Sequence, residues 1–132
     1  MTALPVIAPV GVVPQARASA ESTRAPADQM WVSVHRPTQV SVIVTIGGEV
    51  DMLTAPRLSE LVTCRLRAAV SVVVIDLSEV TFLGVAGVRV LHQAYLLARQ
   101  SAVQLFIVTG DSRCAARALR ICGMEHLLSR PR

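Results

Sequence analysis

Val72-Val73-Val74-Ile75 is a run of β-branched residues closed by Asp76 and Ser78, and it restricts the fold more than any other stretch of the chain. Such side chains crowd a helix and fit a pleated strand. An unbroken apolar run reads as a strand buried on both faces of a parallel sheet, so helices are expected on both sides of it. Asp76-Leu77-Ser78-Glu79 then reads as a turn, Val80 to Leu83 as a brief return to extended chain, and Gly84-Val85-Ala86-Gly87 as the lead-in to a helix over Val88 to Gln100. Free backbone amides are expected at that helix start.

The flanking segments supply partners for this strand. Trp31-Val32-Ser33-Val34-His35 alternates apolar with polar, and Pro37 suits a turn or an edge position. Val40, Val42, Val44 and Ile46 form one face of a second strand that Gly47-Gly48 ends, and an antiparallel hairpin is the economical pairing of the two. Thr54 is placed as a hydroxyl N-cap ahead of Pro56, and Leu58, Leu61, Val62, Leu66 and Ala69 recur at helical spacing. Val103 to Val108 reads as a further strand. Ser112 can cap a last helix with Ala115, Ala118, Leu119 and Cys122 inward, and Gly123 can end it. The order β-β-α-β-α-β-α predicts a single α/β domain over residues 30–132, its mixed, mainly parallel sheet carrying an antiparallel N-terminal edge strand. Residues 1–29, rich in Ala, Pro, Ser and Thr, read as a disordered arm.

Composition excludes several classes of function. Aromatic residues make up 3% of the chain, so stacking on single-stranded nucleic acid is not expected and no nucleic-acid partner is assigned. All thirteen basic residues are arginines, dispersed from Arg17 to Arg132 without a run, which describes a solvated surface. Arg113, Arg117 and Arg120 do share one face of the last helix, either as a wet stripe or as a docking strip for an acidic partner. Cys64, Cys114 and Cys122 lack metal-ligand spacing and read as buried free thiols in a reducing cytoplasm. No apolar stretch is long enough to span a membrane. Ala3 to Val13 ahead of Ala18-Ser19-Ala20 has the outline of a secretory signal, but it lacks a basic start and is broken by Pro5, Pro9 and Pro14. A cytoplasmic protein is expected.

In open α/β sheets ligands collect at the carboxyl ends of the strands, which points to residues 47–54, 84–89 and 110–113. None of these segments carries an enzyme. A phosphate-binding loop needs a lysine that the chain does not have, and Gly84-Val85-Ala86-Gly87 lacks the three-glycine dinucleotide fingerprint. His35, His92 and His126 are paired by spacing with no nucleophile. Glu49 and Asp51 alternate on extended chain and point apart, so Asp51 is expected to bond backbone amides of the following turn. No catalytic residue, metal site or cofactor is assigned.

Three segments taken together resemble the STAS domain, the module shared by bacterial anti-sigma factor antagonists and the tails of sulphate transporters. They are Gly48-Glu49-Val50-Asp51 with Thr54-Ala55 and the Leu58/Leu61 helix; Val74-Ile75-Asp76-Leu77-Ser78 to Phe82-Leu83 and Gly87; and Ile121-Cys122-Gly123-Met124 to Leu127. The resemblance covers about Trp31 to Leu128. It implies a STAS-like fold and transcription regulation by partner switching, the partner being an anti-sigma factor, often a serine kinase, or a related regulator. A homodimer is compatible with it.

In that family the kinase phosphorylates a serine at the start of the second helix, in an Asp-Ser-Ser/Ala-Gly segment. Aligned on Gly87, this chain has Gly84 for the aspartate and Val85 at the phosphoacceptor position. Valine has no hydroxyl to accept phosphate, so the resemblance implies either a constitutively binding antagonist or a diverged module whose partner is not a serine kinase. Val85 packing inward with Val88 and Leu91 is the plain structural alternative. If the segment docks a partner, Gly84, Val85, Ala86, Gly87, Val88 and Arg89, with His92 and Gln93 one turn on, are the binding residues. A small-ligand or nucleotide sensor using the same helix start is the alternative function.

Overall fold

The computed structural model of the chain describes residues 29–128; the expected N-terminal arm lies, but for Gln29, outside them. The elements follow the predicted order: β1 (Met30–Thr38), β2 (Ser41–Val50), α1 (Ala55–Arg67), β3 (Val72–Leu83), α2 (Val85–Gln100), β4 (Gln104–Val108) and α3 (Arg113–Ile121), closed by a single 3-10 turn at Glu125–Leu127. The strands lie in the sheet in the order β1-β2-β3-β4. β1 runs antiparallel to β2, and β2, β3 and β4 are mutually parallel. This is the mixed α/β sheet that the segment order predicts, with Pro37 on the edge strand.

The core is aliphatic and lies on one side of that sheet. Val42, Val44 and Ile46 of β2, Val73, Ile75 and Leu77 of β3, and Ile107 of β4 are buried. They join Leu58, Val62 and Leu66 of α1, Val88, Leu91, Ala94 and Ala98 of α2, and Ala115 and Leu119 of α3 in one cluster. Each fully buried Leu, Ile or Val contributes about 1.5–3 kcal/mol of transfer free energy, which makes this cluster the main source of stability. Cys114 and Cys122 pack partly against it, whereas Cys64 is exposed, contrary to the expectation of three buried thiols. Position explains it: Cys64 falls between the inward Val62 and Leu66 of α1.

The reading of β3 as buried on both faces is corrected. Its burial alternates, with Val72, Val74 and Asp76 only partly covered, and the apolar residues of that second face are not among those packed against the core. The strand order explains why. Each parallel strand is added on the same side of the previous one, and right-handed crossovers then deliver every connecting helix to the same face. A sheet covered on both faces needs the order to reverse, and this one does not.

Two further expectations change locally. Asp76 to Glu79 is not a turn that interrupts the strand: β3 runs through it, and pairing with β2 steps from Thr45↔Asp76 to Gly47↔Glu79 and again from Gly48↔Val80 to Glu49↔Phe82. Each step gives β3 one residue more than β2, which is a bulge. The Asp76 carboxylate accepts the Ser78 amide at 2.9 Å, so the turn chemistry is present inside the strand. Likewise Gly47-Gly48 does not end β2, which continues to Val50, and Val40 stands in the hairpin turn, half exposed.

Thr54 precedes α1 but does not cap it, since its side chain makes no bond to the helix. The hydroxyl points back into the preceding loop. It accepts the Asp51 amide at 2.9 Å and lies 3.0 Å from the Glu49 carbonyl, to which it can donate. Asp51 reciprocates, its carboxylate accepting the amides of Leu53 at 2.9 Å and Thr54 at 3.1 Å, as the sequence led us to expect for Asp51. Ser112 does cap α3, accepting the Ala115 amide at 3.3 Å while donating to the Val80 carbonyl at 2.7 Å, and Gly123 ends that helix at φ +72°.

Because Thr54 is fully buried, Thr54→Val keeps the shape of the side chain and removes both bonds. The substitution is expected to cost about 1–3 kcal/mol, the penalty for leaving buried polar groups unpaired. Urea denaturation measures it; an unchanged midpoint would show that this loop contributes nothing to stability.

Candidate functional site

The exposed end of the molecule is built where β2 and β3 run out together. Val50 pairs with Leu83, both buried, and the Gly84 amide donates to the Val50 carbonyl at 2.8 Å. Gly84 is extended (φ −86°, ψ 177°) and α2 starts immediately, at Val85, one turn earlier than the sequence pattern suggests. Its carbonyl accepts the Val88 amide at 3.1 Å, closing the first turn.

Gly87 is buried in that turn for a steric reason. A Cβ there would stand 2.6 Å from Leu83 Cδ1 and 2.7 Å from Val50 Cγ1. Absence of a side chain therefore lets α2 rest on the ends of β2 and β3, and this contact sets the height at which Val85 emerges.

Val85 points outward. It is 62% exposed, so the alternative in which it packs with Val88 and Leu91 is set aside: those two are buried beneath it. The eight candidate residues thus divide. Val85, Arg89 and Gln93 are exposed, Gly84, Ala86 and His92 are half covered, and Gly87 and Val88 are buried. Gly87 and Val88 support the surface from below.

The side chains of Val85, Ala86, Arg89 and Gln93 line one wall of an open groove of about 500 Å³. The facing wall belongs to the loop before α1 and its first turns: Met52, Ala55, Pro56 and Ser59. Met52 is 78% exposed and Leu53 beside it 60%, held out by the Asp51–Thr54 bonds; Phe82, near the end of β3 and just ahead of Val85, is half exposed. Segment-by-segment reading of the sequence did not single out Met52, Leu53 or Phe82. A signal was present, since Met52-Leu53 are two large apolar residues inside a turn whose flanks, Asp51 and Thr54, are committed to holding it.

Other candidate groups lie apart from this groove. His126 meets Tyr95 edge-on, with ring centroids 5.9 Å apart, and Arg99 sits over the same tyrosine. Arg113, Arg117 and Arg120 are all exposed along α3. Among the described residues no three of His, Cys, Asp and Glu gather as a metal-binding set, and no helix is long and apolar enough to cross a membrane.

A four-stranded mixed sheet with three helices on one face, and an exposed helix start beside the β2–α1 loop, defines a small α/β module whose accessible feature is a surface groove. The chain belongs to the STAS domain family, whose model matches residues 32–131. Among solved structures it is similar to an anti-sigma factor antagonist from Mycobacterium paratuberculosis, at 26% identity and a TM-score of 0.66 over 80% of this chain and 87% of that one. The anti-sigma factor antagonist SpoIIAA in its unphosphorylated form shares the fold at 13% identity, TM-score 0.66, over 77% of this chain and 89% of that one. The Bacillus cell fate determinant SpoIIAA in its phosphorylated form does so at 13% identity, TM-score 0.61, over 77% and 92% of the respective chains. A comparison with curated proteins returns no match.

The packing of Gly87 carries its own test. Gly87→Ala adds a methyl group against Leu83 and Val50, and overpacking of this kind costs about 1–3 kcal/mol. Thermal unfolding should show a lowered midpoint; wild-type stability would mean that α2 does not rest on these strands as closely as described.

Proposed function

We propose that the protein is a non-catalytic anti-sigma factor antagonist of the cytoplasm, regulating transcription by partner switching and binding its partner through the groove between the start of α2 and the β2–α1 loop. The observation that carries this reading is Val85. It stands 62% exposed at a helix start, in an apolar groove lining with Met52, Ala55 and Ala86, with Arg89 and Gln93 at the side. An apolar centre with a polar, arginine-bearing rim is the usual composition of a protein-docking patch. The 26%-identical structure of an anti-sigma factor antagonist supports assigning that patch to an anti-sigma factor, of serine-kinase type or a related regulator.

The residues at the helix start are Gly84, Val85, Ala86 and Gly87, none with a hydroxyl. A phosphate there would bring about two negative charges to a face that is otherwise apolar. Without an acceptor the face gains no negative charge, and binding is constitutive with respect to that modification.

The competing reading, a nucleotide or small-ligand sensor, draws on the free amides of the α2 start and on the groove volume, which falls in the range of ligand sites. The strand order weighs against it. Ligands of open α/β sheets sit where the order reverses, and β1-β2-β3-β4 has no reversal.

Arg89→Glu and Val85→Asp each place a negative charge on the rim or centre of the groove at exposed positions. Both are expected to weaken the complex with the anti-sigma factor at least about tenfold, or about 1.4 kcal/mol, with little change in melting temperature. Titration calorimetry measures it, and an unchanged dissociation constant for both variants would remove the groove as the docking site. A melting temperature raised by nucleotide would favour the sensor instead.

A cognate serine kinase should leave the wild type unlabelled and transfer phosphate to Val85→Ser. Labelling of the wild type at Ser78 or Thr81 would show that the switch has moved to another hydroxyl.

A further inference from the structure

We infer that the face of the sheet turned away from the described helices, where Ile43, Val72, Val74 and Val108 are only partly covered, is the docking site of the chain's own N-terminal segment, Leu4 to Pro14. The face has an apolar row crossing three adjacent strands, because Ile43 pairs with Val74 and Val74 with Phe106. Val72 and Val108 flank the row on the same face, and Trp31 lies over Gly47 two rows away, filling the space a side chain would take at that glycine. Phe106 is 40% exposed, and none of these six residues packs against the core cluster.

Parallel strands are ordinarily covered on both faces. Here the unreversed strand order commits α1, α2 and α3 to the opposite side, so cover must come from elsewhere. The chain contains a segment of matching chemistry. Residues 2–16 carry no charged side chain, the first being Arg17, and Leu4, Val6, Ile7, Val10, Val12 and Val13 are large and apolar. Pro5, Pro9 and Pro14 remove amides that would otherwise be left without partners against an apolar surface.

The tether has the right length. The row Ile43–Val74–Phe106 begins four residue steps along the strands from the Trp31–Gly47 pair, and its far end is three strands across. With ~3.3 Å per residue and ~4.8 Å per strand, that is about 20 Å on the diagonal. Gln15 to Gln29 supplies fifteen residues. A flexible chain of that length has an r.m.s. span of about 20 Å, and a tether matched to its span holds the segment at an effective concentration of order mM.

A second copy of the protein fits the same face less well. It would set a second Asp76 and Glu79 against the pair already on this face, like charge against like charge, whereas the segment adds no charge.

The test uses the full chain. Nuclear Overhauser contacts are expected between the methyls of Val10, Val12 or Val13 and the Phe106 ring or Val74 methyls. The full-length triple variant Val10→Asp, Val12→Asp, Val13→Asp should lose them, and emission of Trp31, the chain's single tryptophan, should shift to the red and become more sensitive to iodide. Amide shifts of core residues such as Val44 and Leu91 report whether the domain stays folded in the variant. Phe106→Ser, at an exposed position, tests the same contact from the other side and should also abolish it. Absence of these contacts in the wild type, with Trp31 emission unchanged by the triple substitution, would overturn the assignment. Trp31 shielding that disappears on dilution of the wild type would also overturn it and assign the face to a second copy.

Discussion

Right-handed crossovers between strands laid down in sequence order are the constraint on which the rest of the molecule depends. With β2, β3 and β4 added in one direction, α1 and α2 become neighbours on one face, and both begin at the end where the parallel strands finish. The groove between Met52 and Val85 follows from that adjacency. So does the second, helix-free face. A single topological fact therefore produces both the groove and the second face, and the sheet has no point at which its strand order reverses.

Two local devices tune the end at which the groove opens. The extra residues in β3 bring Leu83 opposite Val50 although the two strands differ in length, and Gly87 lets α2 settle onto that pair. On the other wall the mutual bonds of Asp51 and Thr54 fix a four-residue loop whose middle, Met52 and Leu53, has nowhere to go but outward. Two large apolar side chains held in water are unfavourable for an isolated domain. The position of Met52 across the groove from the exposed Val85 suits half of an interface better than internal packing.

Much of this was legible in the sequence because periodicity and end signals report on local chemistry. The β-branched run from Val72, the Leu58–Val62–Leu66 spacing, Ser112 as a cap and Gly123 as a terminator each rest on contacts within a few residues, and each stands where the sequence placed it. Side-of-sheet information is different. The unbroken run at Val72–Ile75 reads as buried on both faces because Val72 and Val74 are as apolar as Val73 and Ile75, and hydropathy alone does not encode the strand order that leaves two of them only partly covered. The turn at Asp76–Ser78 was misplaced for a related reason: the carboxylate-to-amide bond exists, but pairing with β2 absorbs it as a bulge. Met52 and Leu53 escaped notice because an exposed apolar pair in a loop belongs to neither helical nor strand periodicity.

On the proposed reading of the α2 start as the docking face, the absence of a hydroxyl on Val85 changes the physics of control as well as its chemistry. A phosphorylatable face has two states whose affinities for a partner differ through a charge of about two units, so the modifying enzyme sets occupancy. A face that is always apolar has one state. Occupancy is then set by the concentrations of the protein and its partner relative to their dissociation constant, and by competitors for either. On that reading, switching acts on the partner, on the amount of protein, or on a surface other than the α2 start. The sheet face away from the described helices is a second large surface, and it lies across β2 and β3 from α1 and α2.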